Sequence, residues 1–578
     1  MAFRFRYRFK FSRGKEQAPG HYLDLCQFLG YPIAEVVPQP QVIRNDNIYS
    51  NVESVLMLCK NWLSPISLHG HHSLGSKFLL DFQEVSHQKL KLDEILKNQS
   101  QFWSSVSGKL CLRAVVQQNP ASRKATCAQP TPESHPHLLK EGEVNPGILL
   151  SEYHTRRRNF INGIHRCSRE KFTAQKDQLV IVVAAPVRYM AENIPYVFRQ
   201  SSDFLYLSGC MEPSSVLCFR SSCVDNFETT LFLPIPSTSQ EKWEGPRTDP
   251  EAALSLFGVD QVLPQHSLIP FLKQELKKDS VIWYNKSPMN DSIGKKVEAL
   301  IEGHILMDLQ LVLHELRLFK SPAEISLMRK SCDIICDAFL TSMMRRCKSE
   351  WEIWAHTDYE CRLRGAPLAF PPVVAGGPRA TIIHYTSNNQ LFQNSDLLLM
   401  DAGCDLHGYC SDMARTWPVA GQFTPPQAKL YRIVLGIQEQ LLTLCAEHMD
   451  LNAIFDNMCQ YLGSELQHHG LLSPRLSVSD AAKAAYRLCP HHSSHYLGMD
   501  VHDTSTISRS QLLKPGMVIT VEPGIYIDSK DTSVPEEFRG IGIRIEDDVL
   551  VTQDGIEILT KKCPKSVSDI EALCSSHS

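Results

Sequence analysis

The chain has 578 residues, of which 43% are hydrophobic and 21% charged, as is typical of a globular protein with room for several domains. A formal net charge of -4 gives no support for a nucleic-acid partner. The longest apolar run, residues 179–187, is far too short to cross a bilayer, so it predicts a buried strand and we expect no membrane partner.

Two features of the sequence bear on the compartment. Nineteen cysteines, an odd number without a C-x-x-C pair, indicate reduced thiols in the cytosol or a matrix-like compartment. Residues 1–15 and 95–132 contain no acidic residue, as targeting sequences do, but residues 1–15 alternate aromatic with basic side chains. That period of two favours a strand over the amphipathic helix of an import signal. Residues 1–133 therefore stay unassigned, as a disordered extension or a targeting region.

Residues 134–318 alternate between two kinds of pattern. The strand-like runs are LVIVVAAP, SSVLCFR and TTLFLPIP, and helical patterns begin at PSTSQEKW and LIPFLKQELKK. This alternation predicts an α/β domain. The region has no glycine-rich nucleotide loop and no nucleophile elbow.

A second domain, residues 319–578, is predicted to open with a long helix. Ser321 is suited to the N-cap, Pro322 to the first helical position and Glu324 to the third, which completes a capping box. Apolar residues then keep helical spacing, namely Ile325, Met328, Cys332, Ile335, Phe339 and Met343.

The stretch LLLMDAGCDLHGYCSDMARTWP, residues 397–418, is predicted to form two strands of a hairpin. With Leu406 and His407 as a two-residue turn, Asp401 lies directly opposite Asp412. Like charges in that position destabilise a hairpin, so the pair predicts a compensating cation. The alternative is a shifted register in which both aspartates are solvated turn residues.

Four further segments supply ligand-type side chains. His384 is predicted on a short strand, and HHSSHYLGMDVHD offers His491, His495 and His502, with Gly498 indicating close backbone packing. Glu522 stands where Pro523 interrupts a buried strand, and Arg544 and Glu546 share one strand face. Singly, each is weak evidence, because a lone histidine is more often structural and an acidic residue at a strand end is usually solvated.

Taken together, these residues form a set with one chemistry. Four carboxylates and at least one imidazole are hard ligands, which suit two divalent cations of the Mn²⁺ type better than a thiolate zinc site. Four negative charges balance two dications.

The motifs DAGCDLHGYCSDMARTWP, HHSSHYLGMDVHD, VITVEPGIYI and GIRIEDDVLVT resemble those of the pita-bread metallopeptidases, aminopeptidase P in particular. SHPHLLKEGEVNPG, EKWEGPRTD and KSPAEISLMRKS further resemble the mitochondrial Xaa-Pro aminopeptidases of animals. The resemblance covers residues 134 to the C-terminus. It implies an α/β N-terminal domain and an α+β pita-bread (creatinase/aminopeptidase-like) catalytic domain.

The resemblance also implies roles for individual residues. The metal ligands fall on Asp401, Asp412, His495, Glu522 and Glu546, with Asp412 and Glu546 as bridges. His384, His491 and His502 match the family's non-ligand histidines, and Arg544 matches the arginine that orients a bridging carboxylate. Ser493 and Ser494 depart from the pattern, but small residues still fit there. Creatinase shares the fold without the metal ligands, and all five are present here.

The implied activity is removal of an N-terminal residue that precedes proline. Two metals about 3.5 to 4 Å apart can hold a bridging hydroxide as nucleophile. Glu522 would hold the proton released by the attacking water, and His384 and His502 would donate hydrogen bonds to the oxyanion. A homodimer and a mitochondrial location, with the cytoplasm as alternative, are also implied. Two other functions stay open, a prolidase limited to Xaa-Pro dipeptides and a non-catalytic pita-bread binding protein.

Overall fold

The computed structural model describes residues 126–235, 238–277, 279–286 and 292–576. The predictions for residues 1–15, and for nearly all of residues 95–132, lie outside this part of the chain. Every cysteine within it is a free thiol. None of the helices described there has the length and apolar character needed to cross a membrane.

The first domain is built on a six-stranded mixed sheet. Across the sheet, the strand order is Ile305–Met307, Val281–Trp283, Gln178–Val183, Val216–Cys223, Asn226–Leu233 and Gln261–Pro264. The third, fourth and fifth of these pair antiparallel, and the outer pairings are parallel. The three predicted strand runs are thus confirmed. Two short antiparallel pairs lie outside the sheet, Glu143–Asn145 with Ile148–Leu149 and Tyr189–Ala191 with Ile194–Pro195.

Helices cover both faces of this sheet. They are Leu150–Lys171, Ser202–Ser208, Pro250–Phe257, Leu268–Glu275, Ser292–Ile301 and Gln310–Leu318, with a 3₁₀ turn at Gln265–Ser267. A further helix, Thr238–Glu244, is exposed over residues 240–244. Because side chains alternate along a strand, Leu179 and Ile181 pack on one face and Val180 and Val182 on the other. Both faces are therefore buried, as the apolar run predicted.

The second domain combines small antiparallel sheets with long helices. The sheets are Val373–Gly376, Leu397–Ala402 and Met413–Pro418; Asp405–Leu406 with Tyr409–Cys410; Val518–Val521, Asp547–Thr552 and Gly555–Ile558; and Gly524–Tyr526 with Gly542–Arg544. The helices are Pro322–Met343, Glu350–Leu363, Pro425–Ala446, Leu451–His468, Val478–Leu488 and Val567–Ser575, with 3₁₀ turns at Gly377–Thr381 and Glu536–Phe538.

The predicted capping box of the helix Pro322–Met343 is confirmed by its hydrogen bonds. Ser321 Oγ accepts from the Glu324 N–H at 3.2 Å, and Glu324 Oε2 accepts from the Ser321 N–H at 2.8 Å. The helix Pro322–Met343 then buries its apolar face in a core that both domains share.

The hairpin prediction was wrong in its register. Leu406 pairs with Tyr409, so the turn is His407–Gly408, and Asp401 pairs with Ala414 rather than Asp412. A two-residue hairpin turn favours positive φ at both central positions, and here φ is 55° at His407 and 90° at Gly408. Moving the turn by one residue shifts the register by two. Asp401 and Asp412 therefore stay on one face, as diagonal instead of opposite neighbours.

The prediction of a strand at His384 was also wrong. His384 lies in a turn after the 3₁₀ helix Gly377–Thr381 and is exposed. The apolar pair Ile382 and Ile383 gave a strand-like signal, but no neighbouring strand pairs with this part of the chain in the described residues. The segment is held by side-chain hydrogen bonds instead.

Candidate metal centre

Carboxylates associated with three sheets meet because backbone N–H groups around Glu546 donate hydrogen bonds to the strand Met413–Pro418. The Glu546 N–H donates to the Ala414 carbonyl at 3.0 Å, and the Arg544 N–H donates to Thr416 Oγ1 at 3.2 Å. Each acidic side chain stands at or near a strand end. Asp401 is the last residue but one of its strand, and Asp412, Glu522 and Glu546 directly precede or follow a strand.

The tightest cluster joins Asp412, His495 and Glu546. One ligand atom from each lies within 4.8 Å of those of the other two. His495 Nε2 is 3.3 Å from Asp412 Oδ2 and 3.7 Å from Glu522 Oε1. His495 Nδ1 lies 3.1 Å from the Tyr496 carbonyl, which can only accept, so Nδ1 carries the proton and Nε2 presents a lone pair to the carboxylates.

Asp401 reaches the same group through a guanidinium. Arg544 donates to Asp401 Oδ2 at 2.6 Å and to Tyr526 Oη at 2.6 Å. Arg544 is almost fully buried, so its positive charge acts at close range in a medium of low dielectric constant. Its donor fork fixes the direction in which the Asp401 carboxylate points.

The carboxylates of this site are not fully compensated by the charges around them. Burial, reinforced by Asp412 and Asp401 against the opposing influence of His495 and Arg544, raises the pKa of Glu522 to about 7. Burial and the neighbouring carboxylates also raise the pKa of Asp412 and Glu546 well above the ordinary range. The ionised site is therefore short of positive charge.

The donor atoms fit a divalent cation. Asp401 Oδ1 and Asp412 Oδ1 are buried, yet neither accepts a hydrogen bond from an N–H or O–H group of the described residues. Such orphaned acceptors are costly unless a cation or water satisfies them. Carboxylate oxygens with one imidazole nitrogen make the ligand set that hard divalent ions prefer.

The other predicted histidines lie near this cluster. The His502 ring lies 4.5 Å from the His495 ring between centroids. His491 Nε2 is 2.8 Å from Tyr526 Oη, and burial together with Arg544 lowers the pKa of His491 to about 4, so its ring is neutral at pH 7. His384 follows Ile383, whose carbonyl accepts from Arg544 at 3.4 Å. His384 and His502 are exposed and remain accessible to a ligand.

The close packing predicted at Gly498 is confirmed by its neighbours. A Cβ at Gly498 would lie 2.3 Å from Asp503 Oδ2, so only glycine fits against that carboxylate. Asp503 in turn accepts from Lys320 Nζ at 3.3 Å and from the Arg317 guanidinium. The segment bearing His495 and His502 is thereby tied to buried cations.

Two contributors to the site were missed from the sequence. Tyr526 joins His491 to Arg544, and Asp548 Oδ2 accepts the Asp412 N–H at 2.9 Å. The alternation of side chains along a strand could have identified both, because it places residues an even number of positions apart on the same face. Tyr526 lies four residues after Glu522, and Asp548 lies two residues after Glu546. Ser493, which departs from the family pattern, is buried. It does not disturb the local fold, because its carbonyl accepts the Glu522 N–H at 2.9 Å.

Comparisons with known proteins find relatives for both domains. Residues 326–553 match metallopeptidase family M24, and residues 153–283 match the aminopeptidase P N-terminal domain. Xaa-Pro aminopeptidase 3 of Rattus norvegicus is 43% identical over 464 residues, which span 77% of this chain and 90% of the relative. Intermediate cleaving peptidase 55, mitochondrial, of Arabidopsis thaliana is 38% identical over 454 residues, spanning 78% of this chain and 88% of that protein.

The architecture also matches that of a solved structure. Zinc-substituted aminopeptidase P of E. coli in complex with product matches with a TM-score of 0.68 at 32% identity, covering 75% of this chain and 99% of that chain. The predicted fold class, an α/β domain followed by a pita-bread domain, is thereby confirmed.

Proposed function

Because the chain belongs to the Xaa-Pro aminopeptidases of metallopeptidase family M24, we propose that it releases the N-terminal residue from peptides with proline in the second position. The observation that carries the proposal is the cluster of Asp412, His495 and Glu546, with ligand atoms within 4.8 Å of one another. The names of the relatives, which are Xaa-Pro aminopeptidases, support the substrate class.

The proposed ligands are those of the whole carboxylate group and one histidine. Two divalent cations, with Mn²⁺ preferred, would be held by Asp401, Asp412, His495, Glu522 and Glu546, and Asp412 and Glu546 would be shared between them. When bound, such cations supply a nucleophilic hydroxide at neutral pH and polarise the scissile carbonyl. The preference for Mn²⁺ rests on the predominance of carboxylate oxygens.

The chain's own residues would then handle protons and charge. Glu522, as a carboxylate within the site, is proposed to hold the proton that the attacking water releases. His384 and His502, which are exposed, are proposed to donate hydrogen bonds to the oxyanion that forms from the carbonyl. His491 is proposed to line the site, and Arg544 to hold Asp401 in its ligating direction.

Peptide length separates this proposal from a prolidase. The experiment compares amino-acid release from an Xaa-Pro-Xaa tripeptide, an Xaa-Pro dipeptide and an Xaa-Ala-Xaa control by the Mn²⁺-loaded protein. We expect fast release from the tripeptide and little from the alanine control. Release from the dipeptide alone would identify a prolidase. A folded, metal-loaded protein inactive on all three would be a non-catalytic binding protein.

Assembly and location are proposed separately from the activity. The family resemblance favours a homodimer, which light scattering of the purified protein tests. A mitochondrial location is supported by the name of the Arabidopsis relative. Fusing residues 1–40 to a fluorescent reporter tests import directly, and a diffuse cytosolic signal would contradict it.

A further inference from the structure

Glu350 is one of the buried carboxylates of the second domain that lie outside the proposed ligand set. Glu350 is the first residue of the helix Glu350–Leu363, and its side chain is 0% exposed. A buried carboxylate persists only when its charge and lone pairs are satisfied. The partners of Glu350 therefore show what it is placed to hold.

The hydrogen bonds that the Glu350 side chain accepts come from residues 376–390, which we call the His384 loop. Oε1 accepts from the backbone and from a guanidinium, and Oε2 accepts from a phenol and the backbone. The donors are Gly376 N–H at 3.0 Å, Arg379 Nε at 2.7 Å, Tyr385 Oη at 2.9 Å and Gln390 N–H at 2.9 Å. One side chain thus connects both ends and the middle of the loop.

The His384 loop touches the candidate metal centre on its other side. Tyr385, a donor to Glu350, directly follows His384, and Ile383 directly precedes it. The Ile383 carbonyl accepts from Arg544 at 3.4 Å, and Arg544 holds Asp401 at 2.6 Å. His384 is exposed on a turn without strand pairing, so its position depends on these contacts at its flanks.

The chemistry of the contact requires a carboxylate. All four partners of Glu350 are donors, and a glutamine in its place would direct an amide N–H₂ at two of them. The helix N-terminus and the Arg379 guanidinium both favour a negative charge at this position. Glu350 is thus matched to the His384 loop by charge as well as shape.

We propose that Glu350 is a positioning residue for catalysis, which fixes the His384 loop so that His384 meets the developing oxyanion. The inference rests on the function proposed for His384. Glu350 acts through the loop and contacts none of the proposed metal ligands. Its loss should therefore affect the transition state more than substrate binding or metal content.

The test is a double-mutant cycle on the Mn²⁺-loaded enzyme with an Xaa-Pro-Xaa peptide. We expect Glu350→Gln to lower kcat about tenfold or more and His384→Ala about 10²-fold, as for loss of an oxyanion donor. The double variant should be no slower than His384→Ala alone. KM and metal content should stay near those of the unmodified protein. Glu352→Gln, which removes the same charge from an exposed site on the same helix, is the matched control and should leave kcat unchanged.

The outcomes separate this inference from the proposed function. Wild-type kcat in His384→Ala would overturn the role of His384 itself. A slow His384→Ala variant whose defect multiplies with that of Glu350→Gln would overturn the positioning role, as would loss of bound metal in Glu350→Gln. If Glu350→Gln does not fold, Tyr385→Phe removes one of the four donors and enters the same cycle, with about a threefold or larger loss of kcat expected.

Discussion

At the scale of single residues, the candidate metal centre is distinguished by carboxylates that are buried close to one another. Asp412 and Glu546 are almost fully buried; beyond the effect of burial, Asp401 raises the pKa of Asp412, and Asp412 raises that of Glu546. The raised pKa means that the folded protein without a cation penalises the ionised form of both carboxylates. These residues therefore weaken the metal-free fold while creating the site.

Replacing one of these carboxylates with its amide should separate stability from activity. We expect Asp412→Asn and Glu546→Gln each to abolish turnover, because both are proposed to bridge the cations. The metal-free melting temperature of each should rise by about 2 °C or more, since the neutral amide avoids the cost of burying a carboxylate or of protonating it on folding. Calorimetry in the presence of chelator, with activity measured alongside, checks both. Wild-type rates in either variant would show that the bridging assignment is wrong.

Much of the site was predictable at this scale, because ligand-type residues at strand ends are visible in the sequence. The same face for Asp401 and Asp412 was predicted correctly despite the wrong register, since a shift of two preserves the side of the strand. Glu350 was not predictable. Its partners are 26 to 40 positions away along the chain, and no local period links a helix terminus to a distant loop.

Elements in this fold are aligned by close backbone contacts and by buried ion pairs. In the hairpin, Gly403 approaches Ser411 so closely that a Cβ would lie 1.7 Å from the Ser411 carbonyl oxygen. Next to it, the segment from His495 to Asp503 is held by Lys320 and Arg317. The capping box was predictable because it is local, but these tertiary contacts were not.

Alanine at Gly403 should open the hairpin beside Asp412. A clash with backbone cannot be relieved by rotating a side chain, so we expect a loss of about 3 kcal/mol in the free energy of unfolding. Gly436→Ala, in a helix with open space around the new methyl group, should instead gain about 0.5 to 1 kcal/mol. Urea denaturation measures both. Equal effects of the two substitutions would contradict the close approach.

Removing the anion of the buried Lys320–Asp503 pair should lower the free energy of unfolding far more than removing the anion of an exposed pair. Lys320 and Asp503 are each 1% exposed at the side chain, so Asp503→Asn leaves buried positive charge and should cost about 3 to 5 kcal/mol. Asp177→Asn breaks the exposed pair with Lys277 and should cost under about 1 kcal/mol. Chemical denaturation of the two variants under the same conditions compares them. A loss below about 1 kcal/mol for Asp503→Asn would rule out the stabilising role.

At the scale of the whole molecule, the α/β domain supports the catalytic domain through polar contacts as well as a shared core. Glu152 accepts from Ser321 Oγ at 2.8 Å, and Arg156 donates to Tyr409 Oη at 3.1 Å. Arg317, before the domain boundary, pairs with Asp500 at 2.7 Å. The alternation of strand and helix predicted the α/β domain, but its contacts with the second domain depend on side chains far apart in sequence.

The described part of the α/β domain begins before residue 134. Gln129 is buried, accepts from the Met211 N–H at 2.8 Å and donates to the Gly209 carbonyl at 3.2 Å. A chain starting at residue 123 should therefore keep kcat/KM within about twofold. A chain starting at residue 134 should lose about 1 to 3 kcal/mol of stability, because buried partners of Gln129 are left unpaired. Equal melting temperatures of the two truncations would contradict this contribution.

The central claim, that these carboxylates and His495 form the metal centre of a proline-specific aminopeptidase, is tested most directly by metal removal and return. The measurement is amino-acid release from an Xaa-Pro-Xaa peptide by one preparation, before dialysis against chelator, after it, and after addition of Mn²⁺. We predict that activity falls to background on dialysis and returns with Mn²⁺, with bound metal approaching two ions per chain. Full activity in the chelated, metal-free protein would contradict the account.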